Sequence, residues 1–334
     1  IKIAALNIRG HGNLDPLHSD NKWNHLNQLI REQKIGILVV GEAHLDVERR
    51  DRIETLFNKR MRVIFTKKPD TPNAAGVAII FNKELTNVKN LTTHEVIPDH
   101  AMLVETTWHD QSKLSMLAVY APNTTMTANG EFWQKIDAFF ERNRRIRKPD
   151  IMLGDCNVTE DKMDRVPMRD DHTGAVEALD NLKISLQLID GWRMTYPDHA
   201  KFTHVQKLSG HQTRLDQIYI KAQVFENTYE WEIKQTGIRT DHSMVSVKLT
   251  DKSAPKIGHG RWTWPINLLK DKILMEYIHS KGVEVGEKMD KMLEDKSRSV
   301  HHNPQSLWAK MKNEIRDKAQ ERAKVVISKL TKEI

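Results

Sequence analysis

Acidic, amide and imidazole side chains recur in this sequence at the ends of short apolar runs. Asn7 follows IAAL, Glu42 follows ILVVG, Asp155 and Asn157 follow IMLG, Asp216 lies in RLDQIYI, and Asp241 and His242 immediately precede MVSV. An apolar run that ends in a polar residue is what a buried strand looks like where it reaches the rim of its sheet, and loops at such a rim display functional groups. Each position alone has a plain structural explanation. Asp or Asn after a strand commonly closes a turn, and a His beside a strand is more often a satisfied structural group than a reactive one. A lone GDxN or TDH has a high false-positive rate. Taken together at successive strand edges, these groups suggest a site assembled from distant parts of the chain. Carboxylate and amide oxygens are hard donors suited to a divalent cation such as Mg²⁺.

The elements that would position these groups are legible as periodicity. KIAALNI (2–8), GILVVGE (36–42), RVIFT (62–66), GVAIIF (76–81), KLSMLAVYA (113–121), DIMLGD (150–155), LQLID (186–190), LDQIYI (215–220) and MVSVKL (244–249) read as strands. Trp23, Leu26, Leu29 and Ile30 fall on one helical face, as do Phe132, Trp133, Ile136, Phe139 and Phe140. Each of these helices lies between strands, so the class is mixed α and β. The composition changes near residue 251, where DKSAPKIGHG reads as a linker. Beyond it, Asn303-Pro304 is a helix start. Leu307, Trp308, Met311, Ile315, Ala319, Ala323, Val326 and Leu330 then recur at steps of three and four, one long amphipathic helix whose apolar stripe needs burial.

Composition narrows the function classes. The chain has 334 residues, 39% of them hydrophobic, enough for one large domain and a smaller appendage. No run approaches the roughly 18 apolar residues of a membrane span, and the opening IKIAALNIRG does not read as a signal peptide. Cys156 is the lone cysteine, so no internal disulfide can form, which fits a reducing, intracellular compartment. The net charge of +7 is uneven: residues 251–334 hold 18 Lys+Arg against 12 Asp+Glu, the rest of the chain 34 against 33. A basic tail favours polyanionic partners, although a solvated helical surface rich in Lys explains the same charge.

The motif order LNIRG, GEAH, VYAPN, LGDCN, RLDQIYI, TDHSMV resembles the endonuclease/exonuclease/phosphatase (DNase I-like) superfamily over residues 1 to 250. GEAHL is similar to the ETH form of the second motif in LINE-type non-LTR retrotransposon endonucleases. GWRMTYPDHAKFTHV (191–205) and the tail segments GHGRWTWPINLLKD (258–271) and NPQSLWAKMKNEIRDKA (303–319) also resemble those elements, especially fungal ones. The resemblance implies an α/β (α+β) fold, a four-layered sandwich of two packed, mostly antiparallel sheets flanked by helices, with a helical C-terminal extension. It divides the chain into an endonuclease-type domain, 1–250, and a linker with basic helical extension, 251–334, like the segment before a reverse transcriptase. It implies a DNA endonuclease dependent on Mg²⁺ or Mn²⁺. DNA, and a reverse-transcriptase region outside this chain, would be the partners, with nuclear residence following from the substrate.

The resemblance also carries roles. Glu42 is the principal metal ligand with Asn7 beside it, and Asp241 binds metal or orients a ligand. Asp155 orients or deprotonates the attacking water, and Asn157 positions Asp155 and touches the phosphate. His242 donates to a phosphate oxygen, where charge grows in the transition state, and Asp216 keeps His242 protonated. Tyr120 and Asn123 hold the scissile phosphate, with Arg9 and Arg214 as further substrate contacts. The chain departs from the family pattern at Arg9, an acidic or amide position in many relatives, at Cys156, usually Phe, and at Gln217, often Tyr or His. Lys67, Lys68 and the run RNRRIRK (142–148) are candidates for DNA backbone contacts, though basic residues at a helix end also complement its dipole. The sequence is also compatible with two other readings: a phosphatase or phosphodiesterase of the same superfamily acting on a non-DNA substrate, and an inactive nucleic-acid-binding module.

Overall fold

A strand such as β1 (Lys2–Asn7), buried at every position, carries side chains on two faces and needs cover on both. The computed structural model describes residues 1–13, 15, 18–66, 76–107, 112–206, 208–250 and 266–332, and it supplies that cover as four layers. Among the described residues one six-stranded sheet has the order β14 (Thr228–Lys234), β15 (Met244–Leu249), β1, β2 (Ile35–Gly41), β4 (Ala78–Asn82), β3 (Met61–Phe65). A second has the order β10 (Leu188–Asp190), β13 (Asp216–Lys221), β8 (Ile151–Asp155), β7 (Lys113–Tyr120), β6 (Ala101–Thr107), β5 (Thr92–Ile97). A small sheet joins β11 (His204–Val205), β12 (Gln212–Thr213) and β9 (Arg165–Val166). Each large sheet contains one parallel pair, β1 with β2 and β7 with β8, and its other pairs are antiparallel.

The two-residue period of a strand sorts the apolar residues between layers. Ile3 and Ala5 of β1 and Ile37 and Val39 of β2 join Met116, Ala118, Ile151 and Leu153 in the core between the sheets. Their neighbours Ala4, Leu6, Leu38 and Val40 pack instead with Trp23, Leu26 and Ile30 of α1 (Lys22–Gln33) and with Ile53 of α2 (Val47–Leu56). On the opposite outer face Leu117, Val119 and Met152 lie under α3 (Met126–Arg142) and α4 (Thr173–Leu186) through Phe132, Trp133, Ile136, Leu179 and Leu182. Two short helices, α5 (Gly191–Thr195) and α6 (Ala222–Phe225), flank β13 in sequence. Trp133 is fully buried and donates its indole N–H to Asn129 Oδ1 at 2.8 Å. Asn129 in turn donates to the carbonyls of Pro122 and Cys156, tying α3 to two loops at the sheet rim. Truncating Trp133 to Ala would cost about 3–5 kcal/mol.

All nine strands read from the sequence are present, shifted by a residue or two. Three longer strands escaped it: β5, β6 and β14. β5 (TTHEVI) and β14 (TYEWEIK) are edge strands with exposed, polar faces, so neither shows an apolar run.

Pro255–Ile334 form a second compact unit. In it α7 (Lys272–Glu294) packs on α8 (Pro304–Lys332) and on a 3₁₀ turn, Ile266–Lys270, through Leu268, Leu274, Ala319 and Ala323. Asn303 caps α8, its Oδ1 accepting from Ser306 N at 2.9 Å. Of the expected apolar stripe, Met311, Ala319 and Ala323 are buried while Trp308 is exposed; the side chains of Val326 and Leu330, and the linker at 251–260, lie outside the described residues. No helix among the described residues is long and apolar enough to cross a membrane.

Candidate active site

Strand direction explains why residues far apart in sequence meet. In the parallel pairs, strand ends lie side by side: Asn7 stands opposite Gly41, next to Glu42, and Tyr120 stands opposite Asp155. β13 and β15 run the other way, so they begin where those strands end. Asp216, first residue of β13, pairs with Asp155, and His242 lies two residues before β15. Asn7, Glu42, Tyr120, Asp155, Asp216 and His242 therefore converge on one rim of the packed sheets.

The rim is built with unusual backbone. Arg9, Glu42, His44 and Asn157 all have positive φ, between 47° and 51°. A non-glycine residue held there costs roughly 1–3 kcal/mol, and such positions concentrate at functional sites. Gly154 has φ +144°, and a Cβ on it would fall 1.9 Å from the carbonyl oxygen of Val119. Only glycine lets β7 and β8 approach this closely, which is why a glycine precedes Asp155.

The side chains form a connected cluster. Asn7, buried, donates Nδ2 to Glu42 Oε1 at 3.0 Å and to Asp155 Oδ2 at 2.9 Å. Tyr120 donates its hydroxyl to Glu42 Oε1 at 3.2 Å. Asp155 Oδ1 accepts from the backbone N–H of Asn157 at 3.0 Å, and Asn157 Nδ2 donates to the carbonyl of Ala121 at 2.8 Å. His242 Nδ1 lies 2.7 Å from Asp216 Oδ2, and its Nε2 lies 4.0 Å from Asp155 Oδ2. Burial pushes the Asp155 carboxyl up to about 6; Asp216 adds to the rise, and His242 opposes it. Burial works against the His242 imidazolium, but Asp216, through charge and hydrogen bond, outweighs it and holds His242 up at about 10. Burial, then the Glu42 carboxylate, raises Tyr120 and keeps its phenol protonated.

This donor set fits a hard divalent cation. Three carboxylates, Glu42, Asp155 and Asp216, face one imidazolium, and Asp216 Oδ1 is buried with no hydrogen-bond partner among the described residues. Like charges packed together favour neutralisation by a cation or by protons, and oxygen donors select Mg²⁺, Mn²⁺ or Ca²⁺ over softer ions. Glu42 and Asp155, bridged by the Asn7 amide, are the residues that would hold it.

Other expected residues fall differently. Asn123 is exposed in the loop after β7. Arg9 is mostly exposed and donates to Asp241 Oδ2 at 3.0 Å, so Asp241 is neutralised by a guanidinium rather than left bare for the cation. Arg214 is a correction. It is 1% exposed, and its guanidinium is spent on Asp164, Asp190 and Gln217; it is an internal ion-pair residue and cannot reach a substrate. The run 142–148 ends α3 and precedes the start of β8, at the other end of the strand whose last residue is Asp155. Five residues of strand span about 13 Å, so the run is remote from the rim; within it Arg147 is paired with Asp150. Lys67 and Lys68 lie outside the described residues.

Two residues that sequence reasoning passed over stand against the cluster. Thr203, fully buried, accepts at Oγ1 from the N–H groups of Leu215 and Asp216 at 2.9 and 3.0 Å, while its carbonyl accepts from Ser243 N. It thereby ties the segments that carry Asp216 and His242. His204 lies beside His242, with ring centroids 4.8 Å apart. In the sequence it is one of 16 histidines, and nothing local marks it.

Neither a family model nor a curated protein matches the chain by sequence. Solved structures do match by shape. An AP endonuclease from Leishmania major superposes with a TM-score of 0.60 at 16% identity, over 74% of this chain and 86% of that one. The endonuclease domain of TRAS1, a telomere-specific non-LTR retrotransposon, matches with a TM-score of 0.55 at 12% identity, over 75% of this chain and 99% of that one. A 3′ phosphatase from Neisseria, bound to product DNA hairpin, matches with a TM-score of 0.59 at 14% identity, again over 75% and 99%. The chain has the DNase I-like fold, two six-stranded sheets flanked by helices.

Proposed function

We propose that Ile1–Ala254 is a divalent-metal-dependent endonuclease that nicks DNA by hydrolysing a phosphodiester bond, and that it derives from a non-LTR retrotransposon. The observation that carries the reading is the excess of negative charge at the rim: three carboxylates converge against one imidazole, with an oxygen of Asp216 that has no partner among the described residues. A phosphodiester is itself an anion and would be repelled from such a rim unless a cation intervened. A bound Mg²⁺ or Mn²⁺ supplies charge stabilisation to the phosphate and its leaving oxygen.

The chain's own groups then divide the work. Asp155, ionised above about 6, orients the attacking water and accepts its proton, with Asn157 N fixing the carboxylate. His242, held protonated by Asp216, donates from Nε2 to a phosphate oxygen as charge builds there. Tyr120, kept neutral, offers a second donor, and Asn123 lies on the adjoining loop. DNA as substrate agrees with the phosphatase structure bound to a DNA hairpin and with the AP endonuclease, each a shape match. Retrotransposon origin is supported by GEAHL, the 191–205 segment and the tail sequence, and by the TRAS1 shape match. Nuclear residence belongs to the same proposal, since it follows from the substrate.

The test is conversion of supercoiled plasmid to open circle. We expect nicking in Mg²⁺, none in EDTA, and a loss of about a hundredfold or more in His242→Ala, the usual cost of removing one transition-state donor. Nicking that persists in EDTA or in His242→Ala refutes the reading.

A further inference from the structure

His204 and His242 are cross-strand neighbours. An isolated antiparallel bridge joins the two residues, so both rings stand on one side of the backbone, tilted against each other at 4.8 Å. Each ring is engaged at Nδ1, His242 by Asp216 Oδ2 at 2.7 Å and His204 by Thr213 Oγ1 at 3.4 Å. With Nδ1 engaged, Nε2 is the donor each imidazole has left. Beside them is Asp241, whose Oδ2 lies 3.9 Å from His204 Nε2. One ligand atom from each of His204, Asp241 and His242 lies within 4.8 Å of the other two, and all three residues are partly accessible.

We propose that His204, Asp241 and His242 form a binding site for a borderline transition-metal cation, Zn²⁺ or Co²⁺, and that filling it inhibits nicking by capturing His242. The inhibition rests on the function proposed above; the binding does not. Two imidazoles and one carboxylate are a set that zinc accepts in sites with three protein ligands and one open position. Donors about 2.1 Å from a tetrahedral ion lie roughly 3.4 Å apart, so the 3.9 Å pair must close by about half an ångström, and the other two pairs, within 4.8 Å, by up to about 1.4 Å. A carboxylate behind the distal ring nitrogen is a usual support for a metal-bound histidine; His242 has one in Asp216, and His204 has the Thr213 hydroxyl at 3.4 Å. Mg²⁺ prefers oxygen ligands and octahedral geometry, so the imidazole pair separates the two kinds of ion: Mg²⁺ goes to Glu42 and Asp155, and Zn²⁺ to the histidines. Arg9 donates to the same Asp241 Oδ2, so the ion displaces its guanidinium, which is largely solvent-exposed and leaves no buried charge behind. On binding, the ion takes the place of the proton His242 carries at Nε2, and the phosphate donor is lost.

The full chain, stripped of metal, is titrated with Co²⁺ while the visible d–d absorption of four-coordinate cobalt is followed. The wild type should develop this band to one equivalent and lose it to Zn²⁺. His204→Phe, which keeps a ring against His242 but no donor, should lack the band, and His204→Gln, which keeps a polar group, should lack it too. In plasmid nicking at saturating Mg²⁺, Zn²⁺ should depress the wild-type rate at least tenfold. Both variants should need at least tenfold more Zn²⁺ for the same fractional inhibition of their own Zn²⁺-free rate. An unchanged cobalt band in both variants overturns the site, and equal Zn²⁺ sensitivity overturns the inhibition. If no protein nicks at all, the function fails while the cobalt titration still decides the site.

Discussion

Two buried clusters of charge meet where β13 begins, one through Arg214 just before the strand and one through Asp216 at its start, and they differ in balance. In the first, Arg214 binds Asp164 through Nε and Nη2 at 2.8 and 2.7 Å and reaches Asp190 at 2.7 Å, while Arg193 also donates to Asp164. Two carboxylates meet two guanidinia, so the formal charges cancel, although Arg193 Nε is buried without a partner among the described residues. In the second, beginning at Asp216, three carboxylates meet a single imidazolium and an acceptor is left over. A balanced buried network needs nothing from outside and serves the fold. An unbalanced one at an open rim needs a cation, and a cation at a rim is a reagent. Composition does not separate the two clusters; the sign of the leftover charge does.

The largest expected effect separates them by stability. Removing one partner from a balanced buried network leaves an uncompensated charge, which costs about 3–5 kcal/mol. Asp164→Ala, stranding Arg214 and Arg193, should lower stability by that amount in urea unfolding. Asp155→Asn should cost far less. Its carboxyl is raised to about 6, so its contribution to stability is present only while it is protonated and is lost as pH rises through that value. At pH 7.5 the neutral amide relieves the charge of the cluster, which offsets the one acceptor lost to Asn7 or Asn157, while nicking is lost. Two variants equally destabilised would break the contrast.

The same contrast shows what the sequence could and could not disclose. Runs such as IAAL, ILVVG and IMLG announced strands because both faces are buried, and the polar residue closing each run announced the rim. The order of those motifs was enough to name the fold. Arg214 was misplaced because its partners Asp164 and Asp190 are 50 and 24 residues away, and no local pattern encodes such pairing. β5 and β14 were hidden for the opposite reason: edge strands have a solvated face and carry little apolar signal. Thr203 and His204 matter only through strand pairing, a property of the assembled sheet.

A cation that balances the second cluster should stabilise the fold. Mg²⁺ at a hundred times its Kd adds about 2.7 kcal/mol if it binds only the folded chain. Thermal unfolding should rise with Mg²⁺ in the wild type and stay flat in Glu42→Gln, which keeps Asn7 and Tyr120 in place but removes a charge. Asp164→Asn, in the balanced cluster, should respond to Mg²⁺ as the wild type does. An equal response in Glu42→Gln would put the ion elsewhere.

The smallest effect is a displacement on the pH axis. Asp155 loses its proton at about 6, raised by burial and by Asp216; His242 keeps its proton to about 10, because Asp216 outweighs burial. Nicking needs the first ionised and the second protonated, so the rate should be level between those values and fall on either side, with bound metal drawing the acid limb lower. Asp216 raises both groups. Asp216→Asn should therefore carry both limbs to lower pH, the alkaline one towards the ordinary histidine value near 6.5, while Asp190→Asn in the balanced cluster should move neither. An alkaline limb that stays near 10 without Asp216 would mean that His242 owes its proton to another group, and the leftover charge would have to be counted again.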